Sequence, residues 1–173
     1  MVLRGSKSHK LPLYYHFRPI LYQKQKTEGK DGTNMFYGEY RHTIDAKGRL
    51  FIPVKLRDEL GDRFMLSRGL DKCVCIYPMT AWNEFTDRLE KLPIAKERRV
   101  RRYFYSGAYE CSLDAQGRVV LSQMYRDFAF LEKDVVIVGN RSHLEVWSSD
   151  AWDAEQEFIS NEDITNELVE LDF

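Results

Sequence analysis

An internal repeat constrains this chain more than any other feature. The run Gly38-Glu-Tyr40-Arg-His-Thr-Ile-Asp45-Ala46-Lys-Gly48-Arg49 returns 69 positions later as Gly107-Ala-Tyr109-Glu-Cys-Ser-Leu-Asp114-Ala115-Gln-Gly117-Arg118. The echo continues through Arg57-Asp58 and Arg126-Asp127 and, after a one-residue insertion, through Ile76-Tyr77 and Val146-Trp147, then Trp82 and Trp152. Matching tryptophans, glycines and Asp-x-x-Gly-Arg motifs in one order mean two homologous modules.

Each module reads the same way. A short strand ending near Ile44 or Leu113 precedes the Asp-Ala-x-Gly-Arg turn, and an apolar run follows, Leu50-Phe51-Ile52 in one copy and Val119-Val120-Leu121 in the other. Gly48 and Gly117 can take the positive φ of a tight reversal, and the carboxylates of Asp45 and Asp114 can accept turn amide hydrogens. Pro53 closes the first copy's strand. A helical turn over Val54 to Leu60, or Gln123 to Phe128, comes next. Phe64-Met-Leu66 with Cys73 to Tyr77, and Val135 to Val138 with Leu144 to Trp147, then form a second hairpin around Gly69 or Gly139-Asn140. Such short strands are marginal alone, so each module is expected to borrow a partner for its edges, and the repeat supplies one within the same chain.

Between the copies, Thr80 can cap a helix on which Trp82, Phe85, Leu89 and Leu92 make an apolar stripe that Pro93 ends. A second helix, from about Ala95 to Tyr105, carries Arg98, Arg99, Arg101 and Arg102, with Val100 and Phe104 to bury and Gly107 to stop it. Ser149 is the expected N-cap of a helix reaching about Ile159, followed by an acidic tail from Asn161 to Phe173 expected to be mobile. The domain reading is therefore 1–34 a disordered basic leader, 35–79 module 1, 80–106 a helical linker, 107–149 module 2, and 150–173 a C-terminal helix and tail. Met35 directly precedes the first module and reads as a natural start, with the leader an upstream extension.

The formal net charge of −1 conceals a gradient: residues 1–34 carry +5, residues 35–107 carry +5 and residues 108–173 carry −11. Phosphate affinity follows where positive charge clusters rather than the total, so a basic half is compatible with nucleic-acid binding. Three cysteines, Cys73, Cys75 and Cys111, have no framework spacing and suit a reducing, cytoplasmic compartment; Cys73 and Cys75 share a strand face and read as buried filler. The four histidines are scattered and none stands at ligand spacing, so no metal and no cofactor are expected. There is no apolar run of membrane-spanning length, no secretory signal and none of the common catalytic motifs, so neither a membrane role, an enzyme nor a small-molecule substrate is expected.

The opening from Met35 through Asp45-Ala-Lys-Gly-Arg49 to Pro53, the second Asp114-Ala-Gln-Gly-Arg118, the Arg98-Arg99-Val-Arg101-Arg102 block and Leu144-Glu-Val-Trp147 together closely resemble the MraZ family, within the AbrB-like swapped-hairpin group. The resemblance covers about residues 35 to 159. It implies an α+β, mainly β fold: two tandem AbrB-like swapped-hairpin modules forming an intrachain pseudo-dimer, with linker and C-terminal helices. It also implies chains assembled into a homo-oligomeric ring. The implied activity is nucleoid-associated transcriptional regulation, through binding to direct repeats in double-stranded promoter DNA upstream of the division and cell-wall gene cluster and repression of the protein's own operon. The family's Asp-x-x-x-Arg signature maps onto Asp45 with Arg49 and Asp114 with Arg118. The basic leader and long acidic tail depart from the family pattern.

Arg41, His42, Lys47, Arg49 and Arg118 are the candidate DNA contacts, with repeat 1 the better face because repeat 2 places Glu110, Cys111 and Gln116 at the positions of Arg41, His42 and Lys47. Arginine can bond guanine O6 and N7 with two parallel hydrogens, whereas phosphate contacts set register. Asp45, Gly48, Asp114 and Gly117 are expected to structure the turns. Two readings of the aspartates stand: each pairs with an arginine only to pin its turn, or it orients that arginine beside basic groups that face the duplex. Arg98, Arg99, Arg101 and Arg102 are candidates for DNA or subunit contact, with packing or subunit contact favoured. Trp82, Trp152, Phe85 and Tyr77 read as core. The rival reading is an antitoxin-like protein binder, using Ile164, Leu168 and Leu171 along one face of the acidic tail.

Overall fold

The computed structural model describes residues 35–158 and 161–170, without the side chains of 94–97, 158, 161–163, 167 and 170. The expected disorder of 1–34 and the position of Leu171 lie outside the described residues.

In repeat 1, strands β1 (Glu39–Thr43) and β2 (Arg49–Phe51) precede helix α1 (Val54–Leu60) and the hairpin β3 (Phe64–Arg68) and β4 (Val74–Pro78). Helices α2 (Met79–Glu90) and α3 (Ile94–Tyr105) link it to repeat 2. There β5 (Tyr109–Cys111), β6 (Arg118–Val120), α4 (Gln123–Phe128), β7 (Asp134–Asn140) and β8 (His143–Ser148) follow the same order. Helices α5 (Ser149–Phe158) and α6 (Asn161–Glu170) complete the described chain.

The strands form one six-stranded antiparallel sheet, β1-β7-β8-β4-β3-β5, and a separate two-stranded ribbon, β2-β6. The first strand of each repeat lies against the hairpin of the other: β1 pairs with β7 from Glu39↔Val138 to Thr43↔Asp134, and β5 pairs with β3 from Phe64↔Cys111 to Leu66↔Tyr109. Each module thus borrows an edge partner from its copy within the chain. Two ladders cross a local twofold. Leu50 faces Val119 in the ribbon, and Cys75 faces Glu145 where β4 meets β8; in both cases the facing residues are equivalent positions of the two repeats.

Alternation along the central strands separates two cores. Val74 and Ile76 of β4, with Leu144 and Val146 of β8, face a large cluster that also holds Leu50, Ile52, Leu56, Leu60, Val119, Leu121 and Tyr125. The ribbon, α1 and α4 therefore cover one face of the sheet. Cys75 and Tyr77 of β4 and Trp147 of β8 face the other, where Trp82, Phe85 and Trp152 pack on them. Phe104 of α3 joins that layer with its ring 4.8 Å from Phe85, edge to face. The tryptophans, Phe85 and Tyr77 all belong to this core layer.

Two local expectations are corrected. Helix α2 begins at Met79 rather than behind a Thr80 cap: Pro78 holds the N-cap position with φ −51° and no side-chain cap bond. Strand β4 runs straight into that helix, and a proline leads in because its φ is already fixed near the required value. At α5 the capping hydroxyl belongs to Ser148, whose Oγ accepts the Ala151 N–H at 3.2 Å, and Ser149 is the first helical residue. The acidic tail forms helix α6 over Asn161–Glu170. Acidic composition marks solvation rather than conformation, and the stretch contains no glycine or proline to interrupt a helix. No helix among the described residues is long and apolar enough to cross a membrane.

Candidate nucleic-acid interface

The Asp-Ala-x-Gly-Arg turns are built alike from their residues upward. In the first, Asp45 Oδ1 accepts the backbone N–H groups of Lys47 at 2.9 Å and Arg49 at 3.0 Å, and the Gly48 N–H reaches the Asp45 carbonyl at 2.8 Å. In the second, Asp114 Oδ1 accepts from Gln116 at 2.9 Å and Arg118 at 3.0 Å, and Gly117 N–H reaches the Asp114 carbonyl at 2.8 Å. Gly48 and Gly117 hold φ of +74° and +76°, a region costly for side chains with a Cβ.

The other carboxylate oxygen fixes the arginine. Asp45 Oδ2 accepts Arg49 Nε and Nη2, both at 2.6 Å, and Asp114 Oδ2 accepts Arg118 Nε at 2.8 Å and Nη2 at 2.7 Å. The arginine side-chain bonds, helped by the turn amides, hold both carboxyls at about 2. A guanidinium has five N–H donors, and this grip spends two of them. The Arg49 and Arg118 side chains are 29% and 23% exposed, so each guanidinium is held by one edge and still reaches solvent.

The ribbon decides which way they face. In β2 and β6 the middle residues, Leu50 and Val119, are buried, while Arg49, Phe51, Arg118 and Val120 lie on the opposite, outer face. Arg49 stands across from Val120 and Phe51 across from Arg118, which places the two arginines on one face about 8 Å apart by strand spacing and rise. Phe51 and Val120 are exposed beside them. At the loop tips Ala46, Lys47, Ala115 and Gln116 are exposed. Both turns therefore point outward, one at each end of the ribbon.

The structure gathers Lys47 and Arg49 on one turn and Arg118 on the same outer face. Arg41 lies elsewhere, on β1, where its Nη2 is 2.6 Å from Asp153 of α5 and 3.2 Å from Glu39. His42 is half-buried with its ring 5.9 Å from Phe51. Arg98, Arg99 and Arg102 are exposed, and the Arg101 guanidinium lies 5.8 Å from the Tyr105 ring. Their helix packs through Phe104 on the sheet face opposite the ribbon, so this block is not part of the turn surface.

Sequence reasoning passed over Arg57 and Arg126. The Arg57 guanidinium lies against Gly117 of the other repeat, Arg126 sits 3.4 Å from where a Gly48 side chain would begin, and Arg57 Nε donates to the Ile52 carbonyl at 2.8 Å. Each turn is braced by the helix of the opposite module. Their recurrence with Asp58 and Asp127 in the repeat was the available signal. Among the described residues, no group of three or more His, Cys, Asp or Glu is placed to hold a metal ion.

The fold and site together define a duplicated, strand-exchanged β protein that displays two matched Asp-Arg turns on one ribbon. A family model described as "MraZ protein, putative antitoxin-like" matches residues 35–102 and again 104–171, and the chain belongs to the MraZ family. It is 46% identical to the transcriptional regulator MraZ of Natranaerobius thermophilus over 142 residues, which cover 80% of this chain and 99% of that protein. It is 45% identical to the namesake from Alkaliphilus metalliredigens over 141 residues, 79% of this chain and 99% of that one. The Moorella thermoacetica relative, also named transcriptional regulator MraZ, is 49% identical over 121 residues, 69% of this chain and 85% of its own.

Proposed function

We propose that this chain is a DNA-binding transcriptional regulator that reads double-stranded promoter DNA with the outer face of the β2-β6 ribbon and its flanking turns. The observation that carries this reading is the pair of carboxylate-held arginines on one exposed ribbon face. A two-stranded ribbon fits the major groove of B-DNA, and an arginine with free donors can bridge guanine O6 and N7. Fixing each guanidinium beforehand lowers the entropy lost on contact. Lys47 adds phosphate affinity, and Phe51 and Val120 can meet thymine methyl groups. Arg41 and His42 are secondary contacts, because Arg41 must first leave Asp153. The names of the relatives support regulation of transcription rather than catalysis.

The finer reading is that the protein occupies direct repeats upstream of the division and cell-wall gene cluster, associates with the nucleoid and represses its own operon. One ribbon on one short box binds weakly; a ring of chains makes later contacts effectively intramolecular and demands correct box spacing. Exposed Arg98, Arg99 and Arg102, on the far side of the sheet, serve subunit contact in this reading. Gel shifts test it: alanine at Lys47, Arg49 and Arg118 should abolish retardation of DNA from upstream of the protein's own gene at moderate salt, and intact binding would refute the assignment.

A second reading has one observation in its favour. Ile164 and Leu168, one turn apart on α6, are exposed, as a helix that docks a protein partner would have them. Pull-down with and without residues 160–173 separates an antitoxin-like partner from DNA regulation.

A further inference from the structure

At the second crossing of the local twofold the repeats differ in chemistry. Cys73-Val-Cys75 of repeat 1 occupies the positions that His143-Leu-Glu145 holds in repeat 2, and the register Cys75↔Glu145 brings the two segments side by side. Both thiols are buried, at 2% and 4% exposure, yet Cys73 directly follows exposed Lys72, which turns the β3-β4 hairpin with φ +59°. Their sulfurs converge on the space beside Gly69. A Cβ there would lie too close to Cys73 Sγ for its presence to be tolerated, and 3.0 Å from Cys75 Sγ. Gly69 has an ordinary φ, so here the missing side chain provides room for sulfur rather than backbone freedom.

We propose that Cys73 and Cys75 form an oxidisable dithiol, a site at which a hydroperoxide converts two thiols to a disulfide, with His143 as its positioning residue. The two sulfurs lie side by side at Gly69, and His143, two residues before the Glu145 that faces Cys75, stands on the same face of the sheet. His143 stacks on Tyr77 with ring centroids 4.6 Å apart, and its Nε2 lies 3.3 Å from Glu145 Oε1. Glu145 is itself held by Asn140 Nδ2 at 2.7 Å and Trp147 Nε1 at 3.0 Å. Burial opposes a charged imidazole, but the bonds to Cys75 and Glu145 outweigh it and raise His143 to about 10. The neighbouring Cys73 thiol and the His143 imidazole favour ionisation of Cys75, while Cys73 is pushed up and keeps its proton. Glu145, Asp71, Tyr77 and Tyr103 are the remaining ionisable groups around the pair, and the carboxylates oppose ionisation of the thiols.

The Cys75 thiolate attacks one peroxide oxygen, the O–O bond breaks, and the departing hydroxide takes the His143 proton and leaves as water, giving a Cys75 sulfenic acid. The Cys73 sulfur then attacks that sulfur. The Cys75 S–O bond breaks, and hydroxide leaves with the Cys73 proton as a second water. One hydrogen peroxide is reduced and two thiols are oxidised. On an extended chain, same-face residues two apart set their Cα and Cβ atoms about 6.6 Å apart, beyond the roughly 3.5–4.5 Å between Cβ atoms that a disulfide needs. The chain at Val74 must therefore bend to close the bond, which should be readily reduced.

Cys111, half-buried, with its thiol pushed up by burial, is an internal control. The full chain would be treated with substoichiometric to equimolar hydrogen peroxide, quenched, denatured, alkylated and mapped by mass spectrometry. The expected result is loss of two hydrogens on the peptide holding Cys73 and Cys75 while Cys111 stays alkylatable, with full reversal by a dithiol reductant. In Cys73→Ser, a dimedone adduct should accumulate on Cys75. His143→Gln should slow oxidation by at least about tenfold at pH 7 and make its rate rise with pH, since thiolate fraction sets the rate. Three alkylatable cysteines after treatment, or Cys111 oxidised as fast as the pair, would overturn the proposal.

Discussion

The Arg57 guanidinium rests against Gly117, a turn glycine of the opposite repeat, and Arg126 answers it beside Gly48. Strand exchange makes this possible, because Ile52 N–H bonds Gly117 O at 3.0 Å and Leu121 N–H bonds Gly48 O at 2.8 Å, carrying each turn to the other module's helix. Alanine at three positive-φ glycines separates the contribution of that contact from backbone preference. Gly61, with φ +77° and ψ −180°, lies in a region almost confined to glycine and has nothing within 4 Å, so Gly61→Ala should cost only the backbone penalty, about 1–3 kcal/mol. Gly48→Ala must also displace the Leu121 carbonyl, 2.9 Å from the new Cβ, and Gly117→Ala must expel Arg57. Both should lower the urea midpoint more than Gly61→Ala does, and equal losses at all three would show that the bracing contributes nothing.

Neither repeat should fold as a monomer. The partner of β1 is β7, that of β3 is β5 and that of β4 is β8, so residues 35–106 alone leave three sheet edges unpaired and lose half of the Leu50-Val119 ladder. Separated halves are expected to be unfolded or dimeric by sedimentation, and to recover a cooperative transition when mixed. A monomeric, cooperatively folding half would contradict the strand exchange.

The turn carboxylates give a pH signature. Asp45 and Asp114 are held at about 2, below the usual carboxylate value of about 3.9, so their stabilisation of the turns is complete above that value and is lost as pH falls through about 2. Carboxyl carbon shifts followed by NMR should titrate near 2 for both. Arg49→Met should raise Asp45 toward the ordinary range without reaching it, because the Lys47 and Arg49 amides still donate. Titration of Asp45 near 4 in the intact protein would remove the claim that the carboxylate fixes the arginine.

Charge and base reading should separate on DNA. Arg49→Ala is expected to cost about 1–3 kcal/mol and to relax preference at one base position, as loss of a bidentate contact does. Lys47→Ala should weaken all sequences alike and reduce the slope of log affinity against log salt by about 0.9. Anisotropy titrations on matched and mutated sites distinguish the two.

Much of this was legible in the sequence, and what was missed shares a physical cause. The Asp45 and Asp114 turns, both hairpins and the linker helices follow from local patterns: positive-φ glycines, alternation, Pro93. The need for a partner followed from short strands. Which strand meets which did not, because the β1-β7 register is set by packing between residues about a hundred positions apart. For the same reason Arg57 and Arg126 passed unnoticed, each acting on a glycine of the other repeat, and Arg41 looked available until α5 brought Asp153 to it. Asp45 caps its turn with one carboxylate oxygen and holds Arg49 with the other, geometry that either reading of the turn aspartates allows.

The most direct test is footprinting of DNA upstream of the protein's own gene with the wild-type chain, an Arg49→Ala/Arg118→Ala variant, and an Arg98→Ala/Arg99→Ala/Arg102→Ala variant held at equal, saturating subunit concentration. Loss of protection over the repeated boxes in the first variant, with the boxes still covered by the second at that concentration, is the expected result. Protection that survives removal of both ribbon arginines would place the duplex on another surface and contradict the central claim.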